Sequence, residues 1–314
     1  MDTLTTLKTL QEAIIYFSNP DNCVTYLVSK RWPKGVECPN CGSKDVSYMP
    51  TRRVWQCKTR HPKSQFSVKV GSIYEDSAIG LDKWLTATWM VVNCKNGVSS
   101  YEIQRSIGVS QKSAWFMLHR IRTAMTDTDD VKMGCRGPVE IDETFVGGKV
   151  KNMHKSKKIK GMNYSAGNGK TIVMGMLERG GKVRAGVIGD RSKQTMQPIV
   201  LGSIEAGAHI ITDEMSTYPF IAEDTYYHEV IKHVEGYVRA HIHTNGIENF
   251  WSLLKRGLNG TYVSVRPFHL DKYVDEQVFR YNNRKDIGDS GRLALCVEQG
   301  FGRRLTYKQL TGKA

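Results

Sequence analysis

HTNGIENFWSLLKRGLNG, residues His243–Gly260, reads as one amphipathic helix. At 3.6 residues per turn Asn245, Glu248, Ser252 and Lys255 share one face, while Ile247, Phe250, Trp251, Leu254 and Leu258 share the other. Such a helix packs through its apolar stripe and holds out one carboxylate, with a cation two turns further on. A single Glu in that setting is ordinarily a solvated surface residue. Two acids elsewhere in the chain, Asp142 and Asp213, give it another meaning.

Both acids sit in segments that read as strands. GPVEIDETFVGG (137–148) alternates and is rich in β-branched residues, and KTIVMGMLERGGKVRAGVIGD (170–190) reads as a hairpin turning at Gly180-Gly181. AHIITDE (208–214) is a short apolar strand ending in acid, and YYHEVIKH (226–233) offers another. Helices are expected over about 193–205 and again from Leu270 to about Tyr281. The whole is an α/β pattern, a mixed sheet flanked by helices. An acid in a core strand is costly to leave unpaired, so it calls for a cation or a metal. Two such strands side by side, with Glu248 presented against them, would bring three carboxylates to one point. Hard oxygen ligands suit Mg²⁺ or Mn²⁺, and a pair of ions can stabilise the entering and leaving oxygens of a phosphoryl displacement. The plainer alternative pairs Asp142 and Asp213 with Lys or Arg.

Composition favours a polyanionic partner. Lys and Arg outnumber Asp and Glu by 45 to 31 over 314 residues, a net charge of +14. No apolar run approaches the ~20 residues of a membrane span, and the N-terminus lacks a continuous secretory apolar core. The expected partner is nucleic acid, with no membrane contact, and the expected location is the cytoplasm. The basic stretch KVKNMHKSKKIKGMNYSAGNGK (149–170) reads as a solvated loop or as an arm that contacts the nucleic-acid backbone.

The N-terminal part carries two further motifs. Residues 1 to about 30 read as helical, broken at Asn19-Pro20-Asp21. Cys38 and Cys41 form a CPNC knuckle, and Cys57 follows after fifteen intervening residues. A second CxxC is missing because Arg60 stands three after Cys57, so His61 is the nearest candidate for a fourth ligand of a structural Zn²⁺. The other reading is an incidental CxxC beside a surface His. Beyond Gly80, a helix carrying Leu81, Trp84, Leu85 and Thr88 stops at Asn96-Gly97. Ser99 or Ser100 can cap a short helix through Ser106, Gly108 supplies a turn, and Ser110 caps a second helix through Arg122. That is the outline of a helix-turn-helix, which would offer Gln111, Lys112 and Ser113 to a major groove and Arg120 or Arg122 to phosphates.

Taken together, CPNCGS, QFSVKVGSIYEDS, KNGVSSYEIQRSIGVSQKSAWFMLHRIR, VEIDETFVGGK, IITDEMSTY, HTNGIENFWSLLKRG and YVDEQVFRYNNR resemble bacterial insertion-sequence transposases. The resemblance runs from about Trp32 to Arg284, and it is to members that join an N-terminal zinc ribbon to a DDE-type domain of RNase H-like fold. It implies a catalytic Asp, Asp, Glu set, here Asp142, Asp213 and Glu248, with 34 residues between the last two and Lys255 seven after the Glu. Members of the group are also described with Asn as the third ligand, and Asn245 shares the face of Glu248, so both are carried forward.

The expected organisation is a helical segment over 1–30, a zinc ribbon over 31–75, a helix-turn-helix over 76–126, an RNase H-like domain over 135–290 and a tail over 291–314. The expected function is transposition: binding of element ends, metal-dependent cleavage and strand transfer. Synapsis of two ends implies at least a homodimer. Two alternatives are a structure-specific nuclease on the same scaffold, and a zinc-containing helix-turn-helix regulator that binds DNA without cutting it.

Overall fold

Two units divide the chain in the computed structural model, residues 1–126 together with 283–314, and residues 127–282. The residues described are 7–148, 170–213, 225–231, 243–285 and 287–312, so the basic stretch after Gly148 lies almost wholly outside them. No helix among them is long and apolar enough to cross a membrane.

The first unit opens with α1 (Leu10–Phe17), whose N-cap Thr9 forms a reciprocal capping box with Glu12. The Asn19-Pro20 break is the start of α2 (Pro20–Arg31): the Asn19 side chain accepts the Asp21 N–H, and Pro20 fills the first turn, where no N–H is needed. A three-stranded antiparallel sheet follows, β1 (Val46–Met49), β2 (Val54–Cys57) and β3 (Gln65–Phe66), with β2 in the middle. Trp32, Trp55 and Phe66 pack ring against ring beside it at 5.9–6.1 Å between centroids. Next come α3 (Leu81–Asn93), α4 (Ser100–Ile107) and α5 (Gln111–Met125). Ser99 and Glu102 form the capping box of α4, Gly108 takes the left-handed conformation at φ 63° that ends it, and Ser110 caps α5 through the Ser113 N–H. The helix-turn-helix outline is present, and α5 runs one turn past Arg122.

The second unit is built on a five-stranded sheet. Its strands are β4 (Val139–Val146), β5 (Thr171–Glu178), β6 (Val183–Ile188), β7 (His209–Asp213) and β8 (Tyr227–Ile231), in the order β6-β5-β4-β7-β8. The first three form an antiparallel meander, whereas β7 runs parallel to β4 and β8 parallel to β7. This is the strand order of the RNase H-like sheet, and it makes β4 the central strand. Between β6 and β7 runs α6 (Lys193–Ser203), and β8 is followed by α7 (Asn245–Arg256), a π-helical turn at Gly257–Tyr262 and α8 (Pro267–Asn282).

Alternation along β4 sorts the two faces. Val139 and Ile141 join Met196 and Val200 of α6 in one apolar core, while β5 sends Val173 and Leu177 to the other face, against Ile247, Phe250, Trp251 and Leu254 of α7 and Val274 of α8. The residues of β4 with the opposite parity, Glu140 and Asp142, therefore belong to the α7 side.

After α8 the chain returns to the first unit. Residues 289–312, which overlap most of the 291–314 stretch expected to be a tail, include α9 (Asp289–Gln299) and α10 (Tyr307–Thr311). Leu293, Cys296 and Val297 of α9 are fully buried, and Arg292 Nε donates to Asn93 Oδ1 of α3 at 2.8 Å. Arg303 donates to the carbonyls of Thr123, Ala124 and Thr126, satisfying acceptors that the end of α5 leaves open.

Candidate active site and metal centre

Pairing of β4 with β7 puts Ile141 beside Thr212, so Asp142, in the middle of β4, and Asp213, the last residue of β7, follow directly on the paired stretch of two adjacent parallel strands. Asp142 is mostly enclosed. Its Oδ1 accepts the Glu143 N–H at 2.8 Å and its Oδ2 accepts the indole N–H of Trp251 at 2.9 Å. Burial pushes its carboxyl up to about 6, and the charges of Asp213 and Glu248 push the same way against the two hydrogen bonds. Asp213 and Glu248 thus both act on Asp142. Glu248 itself is exposed in the first turn of α7, with Oε1 accepting the Thr244 hydroxyl at 3.0 Å. Asn245, also exposed, lies one turn before it, and exposed Lys255 lies about 10 Å further along the same helix.

Trp251 reaches Asp142 because of a glycine. Gly175 of β5 is the register partner of Asp142, and a Cβ there would lie 2.6 and 2.7 Å from the indole Cη2 and Cζ2 atoms. The bare backbone lets the indole approach β5 closely while its N–H bonds to the carboxylate.

Two residues before Asp142, the Glu140 side chain is wholly enclosed. Its Oε1 accepts Nε of Arg179 at 2.7 Å with His243 Nδ1 at 3.5 Å, and its Oε2 accepts the Ile247 N–H at 2.9 Å. A carboxylate is thereby set at the N-terminus of α7, where unpaired N–H groups and the helix dipole favour negative charge. Gly246 permits this approach, since a Cβ there would sit 2.8 Å from Oε2.

In the first unit the Cys38, Cys41, Cys57 and His61 donor atoms all lie within 4.8 Å of one another. Cys38 Sγ is 3.5 Å from His61 Nε2 and Cys41 Sγ 3.6 Å from Cys57 Sγ. Zn–S bonds of about 2.3 Å imply tetrahedral edges of about 3.8 Å, so four ligands at these separations fit one zinc ion. Burial pushes the Cys57 thiol up, but hydrogen bonding to His61, Thr59 and Cys41 outweighs it and brings the group down to about 6. A thiol so placed is ready to ligate as thiolate. Among the described residues these four are the one group of three or more potential ligands whose atoms converge in this way, and the three acids of the second unit are more loosely gathered.

The sequence that builds these sites has counterparts in known proteins. Residues 135–282 match the family model described as the ISXO2-like transposase domain, and residues 18–59 match the transposase zinc-ribbon domain. The chain belongs to the insertion-sequence transposases that carry an N-terminal zinc ribbon. It is 26% identical over 255 residues to an uncharacterized protein in transposable element ISH50 of Halobacterium salinarum, covering 77% of this chain and 84% of that protein. It is also 28% identical over 102 residues to an uncharacterized transposase-like protein of Haemophilus influenzae, covering 32% of this chain and 82% of the other.

Within the transposase's helix-turn-helix, Gln111 Nε2 donates to Ser100 Oγ at 2.9 Å, exposed Lys112 lies over the Tyr307 ring at 4.9 Å, and Ser113 bonds to Ser110. Arg120 and Arg122 correct the sequence reading, because both are buried, Arg120 donating to the Glu75 carbonyl. Residues 117–122 of α5 are all buried, so this part of the helix is covered on every side and neither guanidinium is offered to solvent. The sequence reading also passed over Glu140 and Trp251. Alternation alone could have flagged Glu140, which shares the strand face of Asp142, whereas Trp251 carried no polar signal on the apolar stripe of its helix.

Proposed function

We propose that this transposase binds the ends of its element as double-stranded DNA and catalyses DDE-type strand cleavage and strand transfer, with Asp142, Asp213 and Glu248 as the catalytic carboxylates. The observation that carries this is the placement of Asp142 and Asp213 on adjacent parallel strands of an RNase H-like sheet, with the charges of both Asp213 and Glu248, the latter on the packed helix, acting on Asp142. A carboxyl held up by burial and by neighbouring anions favours a bound cation, and an all-oxygen donor set suits Mg²⁺ or Mn²⁺. Such ions, when bound, would stabilise charge on the entering and leaving oxygens. Asp142 and Asp213 would hold them from the sheet and Glu248 from α7, with Asn245 one turn away as the other candidate third ligand. Lys255 would contact a DNA phosphate further along that helix.

In cleavage, a water oxygen forms a bond to phosphorus and the P–O3′ bond breaks, leaving a 3′-hydroxyl and a 5′-phosphate. In transfer, that 3′-hydroxyl forms a new bond to a target phosphorus and the target's own P–O3′ bond breaks. No covalent enzyme intermediate is needed. The unit formed by residues 1–126 and 283–314 would supply DNA recognition through α5, with structural Zn²⁺ holding its ribbon. Synapsis of two ends calls for at least a homodimer, and DNA as substrate puts the work in the cytoplasm.

The test is incubation of purified protein with DNA carrying the element ends and Mg²⁺, followed by mapping of cut and joined strands. Joined products support the reading. Cutting without joining would favour a structure-specific nuclease, and binding without cutting would favour a regulator.

A further inference from the structure

We propose that Trp251 is a positioning residue for metal binding at Asp142, its indole N–H fixing the orientation of the carboxylate from a seat over Gly175. The inference rests on the reading of Asp142 as a metal ligand and adds a residue whose place on the apolar face of α7 otherwise explains it as core.

The Asp terminal torsion is broad, so a carboxylate on a strand does not choose one plane by itself. An ionised carboxylate has about four lone-pair positions. The Glu143 N–H takes one on Oδ1 and the Trp251 N–H takes one on Oδ2, which leaves each oxygen one position free and sets the direction of both. Indole nitrogen is a donor only, so Trp251 orients the carboxylate without being able to compete as a ligand. The seat is specific as well. Trp251 is buried against Val173 and Ile247, and the missing side chain of Gly175 is what admits the six-membered ring, since any Cβ would lie 2.6–2.9 Å from Trp251 and Ile247 atoms. Pure core packing would need the ring and the glycine beneath it, but not the hydrogen bond to the acid. Partners that orient a ligand from outside the coordination sphere are worth about 10–100-fold in metal affinity.

The experiment is a Mn²⁺ titration of the full-length, DNA-free protein followed by water-proton relaxation, with metal-free DNA binding and thermal unfolding measured alongside. Trp251→Phe keeps an aromatic core residue and removes the donor. It should weaken Mn²⁺ binding about 10–100-fold while metal-free DNA binding stays at the wild-type level. Gly175→Ala should weaken Mn²⁺ binding by displacing the indole, yet add little in the Trp251→Phe background, because Phe lacks the two ring atoms that a Cβ would meet. If Trp251→Phe fails to fold, site-specific incorporation of 3-benzothienylalanine at 251, which puts sulfur where the N–H was at nearly unchanged volume, gives the same comparison. Wild-type Mn²⁺ affinity in either donor-free protein would overturn the proposal. Asp142→Ala separates the two readings: if it binds Mn²⁺ normally, Asp142 is no ligand and both fail, whereas if it loses binding and the Trp251 variants do not, only the role of Trp251 fails.

Discussion

Ile247 donates its backbone N–H to Oε2 of Glu140 across 2.9 Å, so the first turn of the helix bearing Glu248 is anchored on the strand bearing Asp142. The carboxylate that does this has no solvent access and takes Arg179 on its other oxygen. One buried group therefore sets the spacing between two of the acids proposed for catalysis.

Replacing Glu140 by Gln should cost about 3 kcal/mol of stability, because it leaves the Arg179 charge without its buried partner. Urea unfolding measures the loss. Gly246→Ala should act in the same direction by pushing the helix from Oε2, and wild-type stability in both variants would remove the anchoring role.

Asp142 makes a statement about pH. Its carboxyl rises from an ordinary 3.8 to about 6, so in this range the folded protein holds a proton that the unfolded chain has released. The sign follows: the metal-free protein loses stability as pH rises from about 4 through 6, on the order of 3 kcal/mol, with no further loss above. Unfolding midpoints in EDTA at pH 4.5 and 7.5 should show that loss relative to Asp142→Ala, which lacks the group. Saturating Mg²⁺ should recover stability at pH 7.5 and much less at pH 4.5.

Asp142→Asn and Asp213→Asn should abolish cleavage while DNA remains bound, since the shape is kept and a metal-binding charge is lost. Gel-resolved cleavage products and binding isotherms are measured on the same proteins. Loss of activity in Asn245→Ala beside near-normal cleavage in Glu248→Gln would move the third-ligand role to Asn245, and full activity in either Asp variant would end the two-metal reading.

Cys57→Ser should lower the metal content from about one zinc per chain to near zero, because a four-ligand closed site does not survive loss of one thiolate. Elemental analysis of protein purified without chelator decides it.

In α5, the helix proposed to recognise DNA, Gln111→Ala and Lys112→Ala should change DNA binding, the first in sequence preference and the second in salt dependence. Arg122→Met should instead alter unfolding and leave the salt slope of DNA binding unchanged, as its guanidinium is fully buried. A reduced salt slope in Arg122→Met would show that this end of α5 does reach phosphate.

Much of the scaffold was legible because its signals are local. Alternation located β4, the Gly180-Gly181 turn located β5 and β6, and the Ser99, Gly108 and Ser110 signals located the ends of α4 and α5. What escaped depends on distant partners. Glu140 and Asp142 are two apart on one strand, yet only the placement of α7 gives them different tasks. Arg120 and Arg122 look like surface cations because a helical wheel shows contrast only when one side faces water, and this stretch of α5 has no such side. Likewise nothing within residues 289–299 announces that they complete a core begun before residue 126.

That last arrangement has a consequence for the order of events during synthesis. The unit with the zinc ligands and α5 lacks Leu293, Cys296 and Val297 until α9 has been made, 173 residues after Thr126 by the end of that helix. At about 5–20 residues per second the ribosome needs roughly ten to thirty seconds to cover that distance, and the inserted unit can complete its sheet within it. The part proposed to grip DNA is therefore finished only after the inserted unit has been made, and a nascent chain reaches its full hold on an element end no earlier than that.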